Sequence, residues 1–277
     1  MRRSLLLPAT LSLALASGCI TRGMEMPLGT RLLAEMYFGP MMLASRLFPS
    51  EPAAPEGFTV EPVADLGTSV AVGFDVDAGG DVFVAVTERM GRQDHGGVSD
   101  NRNKPYWLLD DLAAETVADR RTYIEKWAEQ GGDPLSWYTT DADRLLRLRD
   151  TTGDGVLDET SELMALRDVV TGIGADVLAD GDTLWYTAIP DLWRLRDADG
   201  DGSYEAHESV AHGFGVTTSL PGHDLHGLGF APDGRIYFSV GDRGYDVVTR
   251  EGRHLRPPLV VSRGAVFRMQ PDGSQLE

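Results

Sequence analysis

Three features of the chain predict an all-β protein and, within that class, a β-propeller. The first is an internal repeat. GFDVDAGGDVFVAV (Gly73 to Val86), GADVLADGDTLWYT (Gly174 to Thr187) and LGFAPDGRIYFS (Leu228 to Ser239) share one shape. Each has a short apolar strand, a Gly/Asp turn, and an alternating strand rich in aromatic and β-branched residues. The second is a companion element: DRLLRLRDTTGDG (Asp143 to Gly155), DLWRLRDADGDG (Asp191 to Gly202) and GAVFRMQPDGS (Gly264 to Ser274). The two recur together at a spacing of about fifty residues, the period of four-stranded propeller blades. The third is composition. With 32 glycines and 15 prolines in 277 residues, the chain suits a turn-rich β fold better than a helical bundle.

From the N-terminus, residues 1–18 read as a secretory signal: Arg2 and Arg3, an apolar run from Ser4 to Ala16 too short to span a bilayer, then small residues before Cys19. This is similar to a bacterial lipoprotein signal, in which the cysteine is lipidated. Cys19 is the only cysteine, so neither an intramolecular disulfide nor the C-x-x-C-H attachment of a c-type haem is possible within this sequence. Residues 19–56 are then expected to be a lipidated tether to the cell envelope, at the outer membrane or its periplasmic face. Its Met-rich middle, Leu32 to Phe48, is interrupted by Glu35, Gly39, Pro40 and Arg46, so it suits a surface-lying or docked helix and not a membrane span.

Residues 57–277 carry the β pattern, with one interruption. Ser99 to Gln130 has helical period, with Leu108, Leu109, Leu112, Val117, Tyr123, Ile124 and Trp127 as its apolar stripe. Glu115, Asp119, Arg120 and Arg121 supply its polar faces. Without tether and insert, about four blades' worth of sequence remains. A propeller closes by pairing its last blade with its first, so the chain is expected to be a truncated propeller or to continue elsewhere.

The net charge of −18 disfavours a nucleic-acid partner. It is compatible with cation binding. Asp197, Asp199, Asp201, Gly202, Ser203, Glu205 and Glu208 fit the twelve-residue calcium loop, with acids at positions 1, 3, 5, 9 and 12, glycine at 6 and a backbone carbonyl at 7. Strands flank it, so an EF-hand pair is not expected. Asp150, Thr152, Asp154, Gly155, Val156 and Asp158 form a weaker copy, with Ser161 where the bidentate Glu would stand.

The segment GHDLHGLGFAPDGRIYFSVGDRG (Gly222 to Gly244) brings two polar loops to one end of a hairpin. His223 is expected to face Asp242 there, and a histidine oriented by a carboxylate can act as a general base. Asp224 and His226 complete the cluster. Two histidines three residues apart also suit a metal such as zinc. Asp94, His95, Asp100, Asn101, Arg102 and Asn103, in the loop before the insert, are expected either to line the same cleft or simply to solvate it.

IPDLWRLRDADGDG, the Gly222 to Gly244 segment and GAVFRMQPDGSQLE together resemble the quinoprotein-type six-bladed propellers. They are similar to soluble pyrroloquinoline-quinone (PQQ) dependent glucose dehydrogenases, and closer to the bacterial "membrane-bound dehydrogenase" propellers that often precede a cytochrome c domain. The resemblance covers Gly57 to Glu277. It implies oxidation of a sugar or alcohol, with His223 taking the hydroxyl proton, Asp242 orienting His223, PQQ accepting hydride, and a cytochrome c or other acceptor downstream. The family's quinone-contacting R-N-P motif and catalytic calcium loops would lie beyond Glu277, so calcium at Asp197 would be structural. Two other readings stay open: a non-catalytic, calcium-stabilised binding or scaffold propeller, and a lactonase-type metal hydrolase.

Overall fold

A computed structural model of the chain describes residues 54–89, 105–218, 223–257 and 263–277. Cys19, the signal and most of the tether, Asp94 to Asn103, and the start of the helical insert lie outside the described residues. The chain divides at Pro62/Val63. Residues 54–62 form no helix or strand, and Phe58 and Val60 in them are exposed. Every described strand and helix lies in Val63–Glu277.

The fold is built mainly of antiparallel sheets. The first sheet is a four-stranded meander: β1 (Val70–Val76), β2 (Val82–Thr87), β3 (Asp143–Arg149) and β4 (Glu159–Leu166). The second repeats it with β5 (Gly174–Asp180), β6 (Thr183–Ala188), β7 (Asp191–Arg196) and β8 (Ala206–His212). The third has β9 (Leu225–Phe230), β10 (Ile236–Val240) and β13 (Ala265–Met269), in the order β13-β10-β9. Between β10 and β13 lies a small hairpin of β11 (Val247–Val248) and β12 (His254–Leu255). The turns after β1, β5 and β9 place Gly80, Gly181 and Gly234 at φ of 92°, 63° and 76°, where a side chain would be strained.

The sheets pack through their first strands, β1 against β5 and β5 against β9. A carboxylate makes each link. Asp75 Oδ2 accepts from Ala179 N at 2.8 Å, and Asp176 Oδ2 accepts from both Gly227 N and Leu228 N at 2.8 Å. Gly73 permits the approach, since a Cβ there would sit 2.7 Å from the Ala175 carbonyl oxygen. Phe83, Leu145, Val177, Leu184 and Leu195 fill the space between the first two sheets. Trp185, Leu192, Phe214, Phe238, Phe267 and Met269 fill it between the second and third. All but the first residue of β6 are therefore buried, as expected of a strand covered on both faces.

The insert forms α1 (Leu108–Ala113), α2 (Val117–Glu129) and α3 (Ser136–Thr139). Thr116 and Asp119 close a capping box at the start of α2. Tyr123, Ile124, Trp107 and Tyr138 make its core. The expected stripe is corrected in two places. Leu108, Leu109 and Leu112 are exposed, Leu109 by 81%. Arg120, assigned to a polar face, is 1% exposed. The chain leaves helix at Ala114–Thr116, so the phase of α1 does not carry into α2. Among the described residues no helix is long and apolar enough to cross a membrane.

Candidate functional site

The β9–β10 ladder positions the predicted pair. Leu225 stands opposite Val240, and the pairing runs outward through Gly241 N donating to His223 O at 3.2 Å. A Cβ on Gly241 would lie 3.0 Å from His223 Cβ and O, so a bare glycine admits the histidine. His223 Nδ1 then lies 2.8 Å from Asp242 Oδ1. The side chains are 42% and 62% exposed. With Nδ1–H donated to the carboxylate, Nε2 carries the imidazole lone pair, which is the arrangement of an oriented base. His226 does not join them. It lies exposed on β9, opposite Ser239.

Asp224, grouped with these residues from sequence, turns inward. Its carboxylate takes a hydrogen bond from Arg243 Nη1, and both side chains are 2% exposed. Asp224 Oδ1 also accepts from Ile173 N at 3.3 Å, while Arg243 Nε donates to Thr217 O at 3.3 Å. A second buried pair lies at the same end of the first sheet, where Arg89 Nε stands 3.1 Å from Asp143 Oδ2. Arg89 Nη1 donates to Thr171 O at 2.6 Å, one residue from the Gly172 that abuts Asp224 and Arg243. The two pairs thus form one buried charged tract. Burial pushes Asp143 up to about 6, outweighing the attraction of Arg89. Burial, then the nearby Arg243 charge, lowers Arg120 to about 9. Sequence reasoning missed Arg89 and Asp143, because charged residues at strand ends read as solvated, and it placed Arg120 on a polar face of its helix.

A cavity of about 680 Å³ lies beside the same loop, lined by Glu115, Thr116, Tyr245, Asp246, His254, Arg256 and Arg263 among others. His254 Nε2 contacts Asp246 Oδ1 there, another His–Asp pair. His223 and Asp242 do not line this cavity. Asp242 is two residues from its wall at Gly244, so the two are within about 7 Å along the backbone.

The predicted calcium ligands are partly gathered. Asp197, Asp199, Asp201 and Glu205 each offer an oxygen within 4.8 Å of the others, on the turn between β7 and β8. Ser203 N donates to Asp201 Oδ1 at 2.8 Å, and Ser203 holds Asp201 below the usual carboxylate range. Glu208 is on β8 and directs its two oxygens to Arg194 and Arg250. Asp150, Asp154 and Asp158 form no such group among the described residues. Instead Asp150 accepts from Gly153 N and Gly155 N, both at 2.7 Å, and Asp158 from Thr151 N at 2.7 Å. Both acidic turns follow the far ends of β3 and β7, away from the His223 end.

Repeated antiparallel meanders, joined first strand to first strand, with a His–Asp pair where one first strand begins, define an all-β protein. The chain belongs to the family described as a domain of unknown function (DUF7133), which matches residues 52–277. No curated protein matches the chain.

Proposed function

We propose that this chain has a quinoprotein-like β-propeller fold and is an envelope-anchored dehydrogenase that oxidises a sugar or alcohol. The 2.8 Å contact between His223 Nδ1 and Asp242 Oδ1 carries the proposal. Supporting it, the two four-stranded meanders have the form of blades. In this reading His223 Nε2 takes the hydroxyl proton of the substrate, and Asp242 fixes the tautomer and steadies the imidazolium. PQQ, when bound, supplies the hydride acceptor. No residue of the chain is assigned to hold it, and an electron acceptor such as a cytochrome c would follow. Lipid on Cys19 would hold the protein at the envelope. The test is dye reduction by the full-length protein loaded with PQQ and calcium, across sugars and alcohols. Turnover that falls at least about a hundredfold in His223→Ala is expected. Neither turnover nor quinone binding in the wild type would sink the reading.

A calcium-stabilised scaffold is the second reading, favoured by the acid group on the β7–β8 turn. Its donors are all hard oxygens, the set calcium takes. Calcium held there would be structural, since the turn is at the far end from His223. Calcium is expected to raise the Tm of the wild type and not that of Asp199→Asn/Asp201→Asn. An equal response in both would remove this site.

A further inference from the structure

We infer that Asp224 and Arg243 are positioning residues for His223 and Asp242, an inference that rests on His223 acting as the base. The two pairs are sequence neighbours on the same two strand ends. These residues lie just outside β9 and β10, in a bend and a turn, and there successive side chains point to opposite sides. His223 faces solvent and Asp224 the interior; Asp242 faces solvent and Arg243 the interior. The inner ion pair therefore crosses between the same two chain segments as the outer hydrogen bond, one residue deeper on each.

The strengths of the two contacts are unequal. An exposed ion pair contributes little and does not hold two loops in register. A buried, charge-assisted contact is stronger, and its loss strands a charge in the interior. The inner pair is also fixed from outside the hairpin. Ile173 N donates to Asp224 Oδ1, Arg243 Nε donates to Thr217 O, and Thr217 N donates back to Arg243 O at 2.8 Å. Gly172 lies against both partners, where a Cβ would stand 3.0 Å from Asp224 Oδ1 and 3.1 Å from Arg243 Nη1. The ladder end that presents His223 is thereby anchored to the start of β5 and to the segment before β9.

The test reads the tautomer of His223 by ¹⁵N NMR on the full chain. A donated Nδ1–H enforces the tautomer that is the minor one for free imidazole. Arg243→Lys keeps the charge but loses the fork that reaches both Asp224 and Thr217. Its expected result is reversion of His223 to the free-imidazole tautomer ratio, as in Asp242→Asn, with at least about a tenfold fall in kcat and KM within about threefold. The signals of His212, whose Nδ1 lies 2.9 Å from Asp191, report that the fold is intact. Should Arg243→Lys not fold, Asp224→Leu/Arg243→Met removes both buried charges together and replaces it. A folded variant in which His223 keeps the wild-type tautomer overturns the inference. Because that readout needs no turnover, a wild type that fails to reduce dye would sink the dehydrogenase reading alone.

Discussion

Replacing Asp143 with Asn should remove one part of the protein's pH dependence. Asp143 is fully buried beside Arg89, which is itself 3% exposed. Arg89 also donates to the carbonyls of Asp141, Asp168 and Thr171. Desolvation raises Asp143 to about 6 despite the guanidinium, against about 3.9 in an unfolded chain. Between those values the folded state holds the proton more tightly than the unfolded state. The stability this contributes is complete below about pH 4 and is lost as pH rises through about 6. At about 1.36 kcal/mol per tenfold change in affinity, the loss is about 3 kcal/mol. Asn keeps the shape and does not titrate. Arg89 remains charged in both proteins throughout this range, so its lost partner adds a constant offset to the variant. The assay is urea unfolding of wild type and Asp143→Asn in steps from about pH 3.5 to 7. Other carboxylates are common to both proteins and cancel. The wild-type minus variant stability should fall by about 3 kcal/mol between about pH 4 and 6. A difference that is flat, or that rises with pH, refutes this account, because it would mean that Arg89 stabilises the carboxylate more than burial opposes it.

Three further changes test the packing behind the site. Tyr186 is fully buried and its hydroxyl has no hydrogen-bond partner among the described residues, so Tyr186→Phe should be neutral or stabilise by up to ~1 kcal/mol in thermal unfolding. Gly174→Ala places a Cβ 2.0 Å from that hydroxyl and should cost about 1–3 kcal/mol, a cost that Tyr186→Phe in the same chain should reduce. Asp176→Ala removes both bonds that tie β5 to β9 and should cost about 2–3 kcal/mol by urea unfolding. Hydrogen exchange of the Gly227 and Leu228 amides should rise in that variant, and unchanged exchange would show that the carboxylate is not what links the sheets.

Local geometry was legible in the sequence. Each Gly/Asp turn fixes the strands on either side of it, so three hairpins could be read from Gly80, Gly181 and Gly234. The same rule located His223 and Asp242, because residues nearly equidistant from one turn must meet across its ladder. Phase relative to a distant partner was not legible. Leu109 and Arg120 fell on opposite sides of the expected stripe because the break at Glu115 and Thr116 resets the helix, and only the packing partner decides which face is inner. Arg120 is buried because α2 lies against the turn that supplies the Val170 carbonyl, to which its guanidinium donates. Sequence cannot bring residues 120 and 170 together.

The same limit hid the buried tract, and there the consequence is functional. Arg89, Asp143, Asp224 and Arg243 come from two sheets, and each alone looks like a solvated strand end. Their burial costs desolvation that hydrophobic residues of equal volume would avoid. That cost is concentrated at the sheet end that presents His223 and Asp242, whereas the acidic turns at the opposite end are largely exposed. If the tract served stability alone, the double change Asp224→Leu/Arg243→Met would lower stability and leave the His223 tautomer unaltered. If it serves geometry, that variant gains or keeps stability while His223 loses its tautomer. The opposite signs of these two readouts are what separate a tract retained for the site from one retained for the fold.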